Sequence, residues 1–217
     1  LLAVPVGIAA GLASAGFLAA LARVTQAQTD HPWLLFGLPL AGALIAWSYA
    51  GVGKSAAGGT NLILDQLHAE DRTDLVPLRM FPLVLGATLL THLVGGSAGR
   101  EGTAVQMGGA IAAATARRLR LAVPDLRIML MSGIAGGFAG VFGTPLAGAV
   151  FGMEMLARGG IRYDALIPCL IAAFAADLTV RGLAIPHAAY EVAAPWPAIG
   201  LEPVLLAAAA GVAFGLA

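Results

Sequence analysis

Apolar runs of membrane length recur along the chain at residues 1–22, 33–53, 80–98, 103–116, 128–156, 165–185 and 201–217. Within them Ala, Leu and Gly follow one another without the period-2 alternation of barrel strands, and lipid tolerates only helices or closed barrels. The pattern therefore predicts an all-α polytopic membrane protein. The first helix is expected to end at about Arg23, where the polar stretch TQAQTDHP begins. A second is expected from Trp33 to about Gly51, with Pro32 leading into it. Leu62–Leu67, inside the most polar region, is too short to cross and reads as a short or re-entrant helix.

After Pro77 a third long helix runs toward GGSAGREGTAVQMGG at 95–109, and a fourth opens near Glu101 and ends in ARRLRLAVPDLR. A fifth begins near Pro124 and reaches GIAGGFAGVFGTP. There Pro145 stands in the first turn of a sixth, Leu146 to about Leu156. A seventh covers 165–183 and a last one starts near Glu202. Several of these are short and interrupted by Gly or Pro, as broken helices are where they line a cavity at membrane depth. The small residues Gly133, Gly136, Gly137, Gly140 and Gly143 recur at spacings that let helix backbones approach closely.

Composition sharpens the class. Of 217 residues, 59% are hydrophobic and 11% charged, against about 25% charged in soluble domains; mean hydropathy is +0.87. Twelve basic residues balance twelve acidic ones, so nothing favours nucleic acid as a partner. The single Cys169 excludes an intrachain disulfide and reads as a packing residue. The chain opens LLAVPVG without Met and stops within an apolar run, which predicts a piece of a longer protein.

Candidate chemistry is sparse. GVGKS resembles a phosphate loop, but Ser48 stands where that motif needs its first Gly, and no strand precedes it. Asp65, His68, Glu70 and Asp71 could be offered as a metal cluster, yet such a polar loop reads as solvated, and no metal or cofactor is expected. His92 lies inside the third helix, where an imidazole either serves a function or satisfies itself on a backbone carbonyl. A membrane hydrolase would have to draw on Ser132, His92 and Glu154, which no motif joins.

Arg100 and Glu101 are the informative pair. A helix start carries about half a positive charge and unpaired N–H donors, so it stabilises an anion or a carboxylate in the anion's place. Gly99 and Gly102 allow a tight turn beside such an ion, and Glu101 stands where it can compete with it. A second helix start lies at GGTNLILDQL, where Gly58 and Gly59 turn the chain, Thr60 or Asn61 can cap, and the amides of Asn61 to Ile63 face outward. The two starts, 40 residues apart, can converge on one dehydrated anion. The alternative is a buried Arg100–Glu101 ion pair that only fixes packing.

These segments resemble the CLC family of chloride channels and anion/proton antiporters. GREGTAVQMGGAIA at 99–112 is similar to the family's GREGP motif and the helix it opens. GGTNLILDQLHAED occupies the place of GSGIP, and AGGFAGVFGTPLAGAVFGMEML with RYDALIP is similar to a later segment. The resemblance covers the first inverted repeat and the start of the second, over a single region 1–217. It implies a gating, proton-carrying Glu101 and an anion environment formed by Gly59, Thr60, Asn61, Gly99, Arg100 and Gly102. Arg100 is there a structural partner rather than a pore ligand, since full charges would hold an anion too tightly for release.

Glu154 matches a glutamate near the internal proton path, while Met155 stands where a second, proton-transferring glutamate is usual. GREGT, the proline-free Gly59–Ile63 and Met155 together resemble the bacterial branch that exchanges fluoride for protons. That implies fluoride or chloride and protons as partners, a lipid bilayer, a homodimer, and the bacterial plasma membrane as location. A voltage-gated chloride channel or a chloride/proton antiporter is the alternative.

Overall fold

The computed structural model describes residues 2–69, 76–155, 163–187 and 200–216. Its order is α1 (Ala3–Asp30), α2 (Leu38–Ala50), α3 (Thr60–His68), α4 (Met80–Leu93), α5 (Arg100–Arg118), α6 (Val123–Phe142), α7 (Pro145–Glu154), α8 (Leu166–Gly182) and α9 (Leu201–Leu216). Residues 1–187 form one unit, and 188–217 a second, to which α9 belongs.

Two expected boundaries change. α1 continues past Arg23 for seven residues, through most of the polar stretch. The Thr29 hydroxyl donates to the Thr25 carbonyl, and Gln26 Nε2 donates to Asp30 Oδ1 at 2.8 Å. Loss of hydrophobicity marks where a helix leaves apolar surroundings, not where its backbone bonds end. The second helix enters as a 3-10 turn, Pro32–Gly37, before α2. Pro39, in the first turn of α2, has no N–H to continue an α-helical ladder from the preceding segment.

Among the described residues, four spans are long and apolar enough to cross a membrane: Ala3–Asp30, Pro32–Ala50, Val123–Phe142 and Tyr163–Gly182. The short elements are α3 with 9 residues and α7 with 10. At about 1.5 Å per residue they reach only halfway through a hydrocarbon core of about 30 Å. These are the broken helices that the Gly/Pro interruptions predict.

α6 is the hub, packed against α1, α5, α7 and α8. Small residues make that possible. A Cβ at Gly133 would stand 2.5 Å from the Gly108 carbonyl oxygen, and one at Gly152 would stand 2.7 Å from the Met131 carbonyl. α1 meets α8 the same way, with a Cβ at Gly11 standing 2.7 Å from the Ala176 carbonyl. Overpacking such a seam costs about 1–3 kcal/mol, so Gly and Ala set the helix spacing. Gly143 serves the chain's direction instead. With φ +69 it ends α6 in a left-handed turn, which places Pro145 at the start of α7. Cys169 is fully buried, as a packing residue would be.

Candidate anion site

Both expected helix starts exist, and neither has a side-chain cap. Gly59 is the N-cap of α3, at φ +55 and ψ −132, and Gly99 is the extended N-cap of α5. The expected capping by Thr60 or Asn61 is therefore corrected, because Thr60 is already the first helical residue. Its hydroxyl accepts a hydrogen bond from Gln106 Nε2 at 3.4 Å. The outward amides are also fewer than expected. Asn61 and Leu62 N–H bond back to the Gly58 and Gly59 carbonyls in a tight first turn, each at 3.1 Å. The Thr60 amide has no backbone acceptor among the described residues.

Gln106 ties the two starts together. It lies on α5, about one turn beyond Gly102, and its amide nitrogen is 3.4 Å from where a Cβ of Gly59 would be and 3.9 Å from that of Gly102. Any side chain at Gly59 would crowd this amide and also strain a left-handed backbone. The pattern of apolar runs gave Gln106 no prominence. Its position four residues after Gly102 on a helix that packs against α3 is the signal that could have found it.

Glu101 stands in the first turn of α5 and is exposed in this chain. Its Oε2 is 2.8 Å from the position a Gly99 Cβ would take. The carboxylate is thus folded back over the helix start, occupying space that only a glycine leaves open. It meets the positive end of the α5 dipole there, as an anion would. Arg181 and Asp177 form an ion pair at 2.8 Å. As adjacent residues on one helix, Arg100 and Glu101 point in different directions.

The structure therefore brings Gly59, Thr60 and Gly102 around Gln106, while Gly99, Arg100 and Glu101 stand at the start of the same helix. Asn61 follows Thr60 and is exposed. Glu154 is not part of this group: it ends α7, which packs on α6 and α8, and it is exposed. Gly108 and Gly109, further along α5, pack against other helices. Gly108 packs on the backbone of Gly133, and a Cβ at Gly109 would stand 2.7 Å from Ile63 Cδ1. They are seam residues.

The other candidates settle on their own backbones. Ser132 Oγ donates to the Ile128 carbonyl at 2.8 Å, and His92 Nδ1 donates to the Thr88 carbonyl at 2.9 Å. With Glu154 they lie on three different helices and form no nucleophile–base arrangement. Lys54 lies exposed on a 3-10 turn, in keeping with a loop lysine. Among the described residues no cluster of metal ligands occurs, and Glu70 and Asp71 lie outside those residues. Sequence reasoning also passed over Asp177, a carboxylate 4% exposed on α8 that is held by Arg181 one turn later.

Comparison with known proteins gives the chain a family. The chain is 48% identical over 211 residues to a "Chloride/fluoride channel protein" of Pseudomonas syringae pv. tomato, covering 97% of this chain and 46% of that protein. It is 31% identical over 205 residues to the "H(+)/Cl(-) exchange transporter ClcA" of Vibrio vulnificus, covering 84% and 42%. The chain thus spans about half the length of the curated relatives it matches.

Among solved structures it superposes on a CLC-type fluoride/proton antiporter with a TM-score of 0.86 and 35% identity, over 95% of this chain and 51% of that one. A slow cyanobacterial Cl⁻/H⁺ antiporter matches with a TM-score of 0.77 and 25% identity, over 99% and 53%. The family model described as "Voltage gated chloride channel" matches residues 41–217. This integral, multi-pass helical chain therefore belongs to the CLC family of voltage-gated chloride channels.

Proposed function

We propose that the protein carrying this chain moves halide across a membrane through a CLC-type pathway, as a fluoride/proton antiporter gated by Glu101. The observation that carries the reading is the Glu101 carboxylate folded onto the N-terminal turn of α5, 2.8 Å from the Gly99 Cβ position. A carboxylate and a halide compete for that place, since each is stabilised by the same helix-start donors. Protonation removes the carboxylate's charge and with it the advantage of that place, so one group both opens the path and carries a proton.

Thr60, Gly59 and Gln106 supply neutral donors and open backbone at the neighbouring start. Neutral donors can replace an anion's water and still release it. The names of the Pseudomonas syringae relative and of the fluoride/proton antiporter support fluoride, and GREGT and Met155 support the same branch. Glu154 belongs to the reading as a residue near the inner proton path. A bacterial plasma membrane and a homodimer complete it. An outward apolar stripe on α8, formed by Ile167, Ile171, Phe174 and Leu178, can be covered by lipid or by a second subunit.

The test is halide efflux from liposomes reconstituted with the protein that carries this chain, with proton movement recorded alongside. Fluoride is expected to leave faster than chloride and to drive protons inward against their gradient. Glu101→Gln is expected to uncouple the two. Equal fluoride and chloride rates without proton movement would favour the chloride-channel reading. Chloride-driven proton movement would favour the chloride/proton antiporter.

A further inference from the structure

The seam between α4 and α5 holds a pair of buried hydroxyls that the site described above does not use. Thr88 is 5% exposed and Thr103 is 2% exposed, and their oxygens are 2.7 Å apart. Thr103 Oγ1 is also 3.3 Å from the carbonyl oxygen of Gly99, the N-cap of α5. Each hydroxyl has one proton to give. A single assignment leaves neither proton unused: Thr88 donates to Thr103, and Thr103 donates to the Gly99 carbonyl.

On the α4 side the series is anchored one turn further on, where His92 Nδ1 donates to the Thr88 carbonyl. The bonds therefore run from the C-terminal turns of α4 to the peptide group that opens α5. Glu101 lies between the two α5 groups in this series, two residues after Gly99 and two before Thr103.

We propose that Thr88 and Thr103 are positioning residues for the anion gate, a buried hydroxyl relay that fixes the first turn of α5 so that the Glu101 carboxylate and the helix-start amides share one place. The inference rests on the reading of Glu101 as the gate. An unconstrained first turn of a helix frays, and one set of amides then faces no single point. A small anion such as fluoride is the most sensitive to that loss, because its strong hydration must be matched by donors at short range. The relay acts on geometry only, since neither hydroxyl changes its charge during transport.

Substitution separates this role from simple packing. Thr103→Val keeps the shape and removes the hydroxyl, leaving the Thr88 proton without an acceptor. Thr88→Val/Thr103→Val removes both polar groups, and replacing both partners by apolar groups of similar shape is nearly neutral for stability. Thr103→Ser restores the hydroxyl alone.

In reconstituted liposomes the double valine variant is expected to melt near the wild-type temperature. It should nevertheless lose roughly tenfold in fluoride efflux, the rate equivalent of one or two hydrogen bonds, with a smaller loss for chloride. Thr103→Ser should recover most of the fluoride-over-chloride preference. A double variant with wild-type efflux and preference overturns the proposal, as does a serine variant no better than the single valine. Glu101→Gln measured in parallel tells the two failures apart. If it changes transport while the double valine variant does not, the relay alone is wrong. If it changes nothing, the gate and the relay fall together.

Discussion

At the scale of single residues, the site depends on an absence of side chain as much as on the carboxylate. Gly99 has φ −68 and ψ 138, which any residue adopts, so its glycine is not required by the backbone. What requires it is the Glu101 Oε2 atom, 2.8 Å from the missing Cβ. Gly99→Ala is therefore expected to fold normally, because the atom in its way is the far end of a flexible side chain. On the proposed gate reading it should displace the carboxylate from the helix start and raise halide leak. Halide efflux from Gly99→Ala and wild-type liposomes checks this, and equal leak would remove the carboxylate from the anion's place. The residues 99–102 made this glycine legible as part of a turn. They did not reveal that the turn is kept open for a neighbour's oxygen two positions away.

At the scale of elements, the most dependent one is α3. Nine residues form little more than two turns, too few to be stable by propensity alone. Side chains from other helices hold both its ends. Gln106 of α5 reaches the Thr60 hydroxyl, and Arg127 of α6 donates through its NH2 group to the carbonyl of Ala69, the C-cap. Ile63 and Leu67 are fully buried between those supports.

Gln106→Ala should loosen the start of α3 without unfolding the chain. The expected result is a half-saturating halide concentration raised roughly fivefold, as for one neutral hydrogen bond, with maximal rate less affected. Initial efflux rates across a series of internal halide concentrations measure it, and an unchanged half-saturation would detach Gln106 from the anion path. The helices were legible from apolar runs and from Gly/Pro punctuation. Where they failed to be legible, as at the end of α1, local i to i+4 hydrogen bonds took over from hydrophobicity. Gln106 and Thr88 were illegible for a different reason. Their partners lie 46 and 15 residues away, and only the packing of α5 on α3 and α4 brings them together.

At the scale of the whole molecule, the proposed antiport raises the question of how protons would cross when Met155 has no proton to carry. The two carboxylates in the reading sit on different parts of the fold. Glu101 opens α5 beside α3, whereas Glu154 ends α7 on the side of α6 and α8. The α6–α7 break at Gly143 and Thr144 turns the chain there, and a thioether at Met155 follows Glu154 directly. Under the proposed antiport, a proton and a halide that share one gate would be counted by Glu101, with Glu154 affecting only how quickly protons arrive. Glu154→Gln is accordingly expected to slow coupled transport by less than about tenfold while leaving the number of protons moved per fluoride unchanged, whereas Glu101→Gln should abolish that ratio. Simultaneous fluoride-electrode and pH recording from the same liposomes gives both numbers. A Glu154→Gln protein that passes fluoride with no protons would move the coupling step to α7 and leave Glu101 as a barrier to anions alone.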